Sequence, residues 1–104
     1  MAEKRFPAEV LIALIDGLLE DQAEVVALAD EAALLRYAYR VAGTVGLLMC
    51  DVLDCRAPAA RAHSIDLGIA MQLTNIARDV LEDAGMNRRY LPGDWVGGAT
   101  PADI

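Results

Sequence analysis

The chain has 104 residues, room for a single small domain, and a domain of this size buries only roughly 60–70% of the surface its unfolded chain exposes. With 56% hydrophobic residues and a mean hydropathy of +0.32, it carries more apolar surface than so modest a core can hide, which implies a partner or a greasy ligand. A net charge of −7 excludes nucleic acid and anionic membrane surfaces as general electrostatic partners, and an anionic small substrate would need a metal bridge.

Helical periodicity dominates from Pro7 to about Ala84, and strands have little support. The first helix opens at Pro7, a residue suited to a first turn, and runs to about Asp21 with Val10, Leu11, Leu14, Ile15 and Leu18 on one face. Gly17 weakens it slightly. Residues 22–29 either continue that helix or form a linker, and Asp30 is placed to cap the next helix. This second helix is expected from Glu31 to about Val52, its apolar positions Leu34, Ala38, Val41, Val45, Leu48 and Val52 falling at helical steps.

Gly43 and Gly46 each weaken the interior of that second helix by about 1 kcal/mol, so something must gain from their smallness. Either another helix packs closely there, or room is left for a long ligand, with Tyr37, Val41 and Thr44 on a common face able to line its path. Cys50 and Cys55 follow no secretory signal and read as small buried hydrophobes in a reducing cytoplasm rather than as a disulfide framework. The uncharged run from Val41 to Cys50 is about half the length a membrane span requires, so no transmembrane segment is expected.

Pro58 starts the third helix, in which Ile65, Ile69, Leu73, Ile76 and Val80 form one core stripe within a wedge of roughly 80°, and Gly85 ends it. The expected fold is therefore all-α, about three helices with no sheet and the third the longest. Residues 1–92 make up the helical domain. Residues 93–104, opening on the turn chemistry of Pro92-Gly93-Asp94, are a C-terminal loop or tail.

The third helix also holds Gln72, Asn75, Asp79 and Asp83 within a second wedge of about 80° that borders the apolar stripe. Two carboxylates one turn apart repel each other, more strongly beside low-dielectric surroundings, and a cation removes that cost. Carboxylate and amide oxygens are the hard ligands Mg²⁺ prefers, with phosphate oxygens and waters completing its octahedron. The alternative is an ordinary solvated acidic face, which Glu82 fits because it projects further from the stripe.

Arg88, Arg89 and Tyr90 follow closely enough for a phosphate to be clamped from both sides, although arginines past a helix end also answer its dipole. Eight of the nine basic residues are arginine, the side chain suited to bidentate phosphate binding. His63 stands apart from the acidic wedge as a surface residue. A di-iron bundle is excluded, since its Glu-x-x-His pairs are missing.

Tyr-Ala-Tyr-Arg-Val-Ala-Gly-Thr-Val-Gly at 37–46 and Gln-Leu-Thr-Asn-Ile-Ala-Arg-Asp-Val-Leu-Glu-Asp at 72–83 together closely resemble two signature stretches of the phytoene synthase and squalene synthase family. Leu14-Ile15-Asp16-Gly17 upstream and Arg88-Arg89-Tyr90-Leu91-Pro92 downstream extend the similarity, and the bacterial carotenoid branch looks nearest. The resemblance implies a helical isoprenoid synthase fold and head-to-head joining of two prenyl diphosphates, geranylgeranyl or farnesyl, in isoprenoid or carotenoid biosynthesis. It implies Mg²⁺ as cofactor, held by Asn75, Asp79 and Asp83 in the family's second acidic motif. Asp79, Asp83 and Tyr37 fall on its catalytic positions, and Gln72, Asn75, Arg78, Arg88, Val41, Ala42 and Gly43 on positions that bind diphosphate or line the prenyl channel.

The sequence departs from the family pattern in two places. Asn87 stands where the family usually has glycine, which bears on the placement of Arg88. The family's first acidic motif has no counterpart here, since Asp16, Glu20 and Asp21 belong to a matched segment that is not that motif. The chain is thus expected to be a partial domain, inactive alone, that associates with the missing segments or with copies of itself and touches a membrane peripherally at most. The alternative is a self-associating structural or ligand-binding module of the same descent.

Overall fold

The computed structural model describes residues 7–98 and 100–103. Pro7, with φ fixed at −59°, forms the N-cap of α1 (Ala8–Glu20), which Asp21 closes. The ambiguous segment after it is a linker. It ends in a two-residue strand β1 (Val26–Ala27), paired in parallel with β2 (Arg88–Arg89), Val26 opposite Arg88 and Ala27 opposite Arg89. The bridge is held by Val26 N–H on the Asn87 carbonyl at 2.9 Å and Leu28 N–H on the Arg89 carbonyl at 3.1 Å. No sheet was expected, and two residues per strand leave no alternating pattern to read.

Asp30 caps α2 (Glu31–Ala38) as expected, its carboxylate accepting from the Ala33 N–H at 2.8 Å. The second helix continues through α3 (Thr44–Val52), but a π-helical turn at Tyr39–Gly43 lies between the two parts. A π-turn adds one residue to the helix and so rotates everything beyond it by about 100°. Burial past the turn departs from the straight-helix stripe. Leu34 and Ala38 are buried as the stripe requires, yet past the turn the buried residues are Thr44, Leu47, Cys50 and Asp51, while Val45 and Val52 are exposed.

Pro58 occupies the first turn of α4 (Pro58–Arg78), the longest helix. The expected unbroken run to Gly85 is interrupted at Asp79, with φ −105° and ψ 19°, and resumes as α5 (Val80–Gly85). Neighbouring side chains diverge on a helix, so the two-pronged pairing of Arg78 with Asp79, at 2.7 and 2.8 Å, accompanies this departure from helical angles. The bonds from Asp79 N–H to the Asn75 carbonyl and from Asp83 N–H to the Asp79 carbonyl survive at 3.0 and 2.8 Å. Asn75, Asp79 and Asp83 therefore remain stacked one turn apart.

After β2 the chain forms a short turn, α6 (Gly93–Val96). Arg89, only 2% exposed, gathers the residues after it by donating to the carbonyls of Leu91, Gly98, Thr100 and Asp103, and ties them to the segment past β1 by donating to the Leu28 carbonyl.

The core is Val26, Leu34, Tyr37, Ile76 and Tyr90, with Leu28, Val41, Leu73 and Leu91 packed against it. Glycines set the helix crossings. A Cβ on Gly17 would stand 2.8 Å from that of Arg40, and one on Gly46 would stand 2.3 Å from the Ser64 carbonyl oxygen. Close helix packing thus accounts for Gly46. The apolar face expected of α1 is only partly covered: Val10 is buried, but Leu11, Ile15 and Leu18 are exposed, as are Ile12 and Leu19. A radius of gyration of 15.3 Å, against about 13 Å for a compact chain of this length, agrees with helices whose outer faces lie open. Among the described residues no helix is long and apolar enough to cross a membrane.

Candidate functional site

An open apolar groove of about 510 Å³ runs between the π-turn and α3 on one side and α4 on the other. Val41, Ala42, Val45, Gly46 and Met49 form one wall, and Leu67, Gly68 and Met71 lie on the other. Gln72 and Asn75 bring amides to its end on α4. From Ala60 to Asn75 the α4 wall covers 15 steps of the helix, roughly 22 Å at 1.5 Å per residue.

Of the residues expected to line a channel, Val41 and Ala42 do so; Tyr37, Thr44 and Gly43 do not. Tyr37, ahead of the π-turn, is interior because it packs in the core with Leu34 and Ile76, and Thr44, just past the turn, is interior too, the two being 4% and 0% exposed. Gly43 is buried as well, with space for no side chain between the Tyr39 ring and Ile65. Both cysteines are free thiols on the groove wall, Cys50 donating to the Ser64 hydroxyl at 3.2 Å. His63 is exposed, as expected.

One turn beyond Asn75 come the carboxylates. Asp79 is held below the usual carboxylate range by its hydrogen bonds from Arg78, so that the expected phosphate-binding fork of Arg78 is engaged by both Asp79 oxygens. Asp83 behaves oppositely. Burial pushes its carboxyl up, and the nearby charges of Asp79, Glu82 and Asp21 push it further, against a smaller lowering by Arg88. Arg88 donates through Nη2 to the Ala23 carbonyl at 3.3 Å, and its Nη1 is buried with no hydrogen-bond partner.

Behind the carboxylates stands a pair of phenols that sequence reasoning did not assemble. The Tyr37 and Tyr90 rings stack with centroids 4.8 Å apart and planes 20° apart. Each hydroxyl donates to one oxygen of Asp21, Tyr37 to Oδ2 and Tyr90 to Oδ1, both at 2.7 Å. Burial and this carboxylate raise the Tyr37 phenol and push Tyr90 up to about 12, so both are neutral donors over the physiological range. Asp21 lies 16 and 69 residues from its two partners, a separation at which no local spacing signal exists.

The donor set suits a hard cation in part. Asp79, Asp83 and the Asn75 amide are oxygen ligands, and the crowding that raises Asp83 is the kind a cation relieves. Among the described residues, however, no group of three or more acidic, histidine or cysteine side chains gathers closely enough to hold an ion unaided. The buried, unpartnered Arg88 Nη1 beside them offers a hydrogen bond to an anion.

This architecture is a fragment of the all-α isoprenoid synthase fold. The chain belongs to the squalene/phytoene synthase family, whose family model matches residues 1–104. It is 45% identical over 89 residues to a phytoene synthase of Pseudescherichia vulneris, covering 84% of this chain and 28% of the relative. It is 45% identical over 92 residues to a 15-cis-phytoene synthase of a Paracoccus species, covering 88% of this chain and 30% of the relative. Similarity also reaches a presqualene diphosphate synthase of Zymomonas mobilis, 43% identical over 84 residues, covering 81% of this chain and 29% of the relative. The chain thus spans less than a third of the length of these curated relatives. No solved structure matches it significantly.

Proposed function

We propose that this chain carries the second acidic, diphosphate-binding part of a magnesium-dependent, head-to-head prenyltransferase of isoprenoid or carotenoid biosynthesis. The observation that carries this reading is the apolar groove ending at Gln72 and Asn75, one helical turn before Asp79. A prenyl chain of the farnesyl or geranylgeranyl kind lies along the groove and leaves its diphosphate beside Asp79, Asp83 and Arg88. Asn75, Asp79 and Asp83 would hold Mg²⁺, which when bound would supply positive charge to a departing diphosphate. Arg88 adds a hydrogen bond to a phosphate oxygen, and Arg78 does so when it releases Asp79. Tyr37, buried and neutral, stays a hydrogen-bond donor rather than a base.

In the reaction the allylic C–O bond of one substrate breaks, its electron pair leaving with the diphosphate, and the allylic cation alkylates the double bond of the second substrate. The cyclopropyl diphosphate that forms with loss of a proton ionises in turn, its remaining C–O bond breaking to release the second diphosphate, and the rearranged cation ends as a phytoene-type hydrocarbon by losing a proton or as a squalene-type one by accepting hydride from NADPH. Two carboxylates and one amide do not enclose two diphosphates. We therefore propose that the chain works in the cytoplasm joined to further family segments or to copies of itself, with the open faces of α1 and α4 covered in that assembly and a peripheral membrane contact for the apolar product.

Calorimetric titration of the 104-residue chain with farnesyl or geranylgeranyl diphosphate, with and without Mg²⁺, tests the site. Metal and diphosphate should each bind weakly alone and strongly together, and Asp79→Asn and Asp83→Asn should each weaken the ternary complex about tenfold with the helical signal intact. Equal diphosphate binding without metal, or in both variants, would favour the alternative of an inherited acidic face on a structural module.

A further inference from the structure

One carboxylate ties together three parts of the chain. Asp21 closes α1, accepts the Tyr37 hydroxyl from α2, and accepts the Tyr90 hydroxyl from the segment just past β2. Among the described residues no ion pair reaches it, so its charge is answered by two phenols and not by a cation. The same turn holds the 87–90 segment at two further points. Ala23, two residues on, accepts from Arg88 Nη2, and Val26 donates to the Asn87 carbonyl. The guanidinium of Arg88 is thereby set with Nη1 buried and unpartnered, within the electrostatic reach of Asp83.

We infer that Asp21 is a positioning residue for the anion site: by holding the Tyr90 hydroxyl it fixes where the Arg88 guanidinium stands relative to Asp83, and by holding Tyr37 it keys α2 to the same arrangement. This rests on the reading of Arg88 as a diphosphate donor. A carboxylate with both oxygens committed to phenols, at the turn where the Arg88 side chain is anchored, controls a direction and not merely a stability. Losing either hydroxyl bond lets the 88–90 segment pivot about the β1–β2 bridge while the ring stack and the helices remain.

The test is a double-mutant cycle on the 104-residue chain, read by calorimetric binding of farnesyl diphosphate with Mg²⁺, with thermal midpoints measured alongside. Tyr90→Phe keeps the ring and deletes one hydroxyl, and Asp21→Asn keeps the shape and one acceptor oxygen. Each should weaken binding about tenfold, the scale of one charge-assisted hydrogen bond. In an Arg88→Ala background Tyr90→Phe should cost nothing more, because it acts through Arg88. Additive losses overturn the inference, as do losses that scale with the fall in thermal midpoint across the variants. Because the cycle reads anion binding and not metal dependence, it still decides if Asp79→Asn and Asp83→Asn leave binding unchanged and the metal reading fails. A wild-type chain that binds no farnesyl diphosphate overturns both.

Discussion

Gly68 is where α4 crosses the π-turn, and replacing it with alanine tests whether that crossing, which also floors the groove, is as tight as its backbone requires. A Cβ there would stand 2.4 Å from the Ala42 carbonyl oxygen, 2.9 Å from its carbonyl carbon and 3.4 Å from the Gly43 nitrogen. These are backbone atoms inside a helix, so no rotamer change relieves the clash. Ordinary contact begins near 3.4 Å, which means the two helices must part by about 1 Å. Overpacking of this kind costs about 1–3 kcal/mol, against about 1 kcal/mol returned by the better helix propensity of alanine. The expected net effect of Gly68→Ala is a loss of up to about 2 kcal/mol.

Gly85 supplies the control. A Cβ there meets nothing within 4 Å, so Gly85→Ala should stabilise by a few tenths of a kcal/mol up to about 1. With urea m-values of about 1–3 kcal/mol/M, the two midpoints should move in opposite directions and differ by about 0.5 M or more. Urea unfolding followed by circular dichroism reads this directly. A Gly68→Ala variant as stable as Gly85→Ala would refute the reasoning.

At Asn87, φ is +62°, and asparagine is the side chain that tolerates this left-handed conformation best after glycine. Asn87→Gly should be neutral or slightly stabilising and Asn87→Val should cost about 1–2 kcal/mol in thermal or urea unfolding, and equal stability of the two variants would contradict the assignment. For pH, the Tyr90 phenol is pushed from 10.0 up to about 12 in the folded chain, so above the ordinary value the folded state retains a proton that the unfolded state loses. The stability this contributes is complete below about pH 10 and falls by roughly 3 kcal/mol as pH rises through about 12, with Tyr37 steepening the loss. Tyr90→Phe should flatten the decline in urea midpoint, and a slope equal to that of the unmodified chain would sink the explanation.

The helices were legible because each has a local start signal: Asp30 caps α2 through the Ala33 N–H, and Pro7 and Pro58 open α1 and α4. The acidic column was legible because Asn75, Asp79 and Asp83 depend only on helical rise, and the backbone bonds joining them outlast the break at Asp79. The π-turn was not legible. An inserted residue changes no composition, so a straight-helix projection carried past it misplaced Thr44, which is interior, while Tyr37, ahead of the turn, is interior because distant residues such as Ile76 and Tyr90 pack over it. Nor were the contacts that organise the rear of the site, the β1–β2 bridge and the Asp21–tyrosine bonds, since each joins residues far apart in sequence whose pairing only the folded chain decides. Asn87 is an intermediate case. Its departure from the family's glycine was visible, but the positive φ that makes glycine suitable there was not.

The π-turn also determines which sequence changes this protein can absorb. With one supernumerary residue taken up at Tyr39–Gly43, Val41, Ala42, Val45 and Met49 look into the groove, and Thr44 and Leu47 look into the interior. Deleting one residue there would close the segment into a regular α-helix with both flanks in place, whereas deleting one from the regular turns of α3 would swing every position beyond it by about 100°, exchanging lining for core at a stroke. A deletion in the loop between Val52 and Pro58 changes only a connection. The length of α3 is therefore held more rigidly than that of the turn before it, and reading-frame-preserving indels should accumulate on either side of α3 and be purged within it.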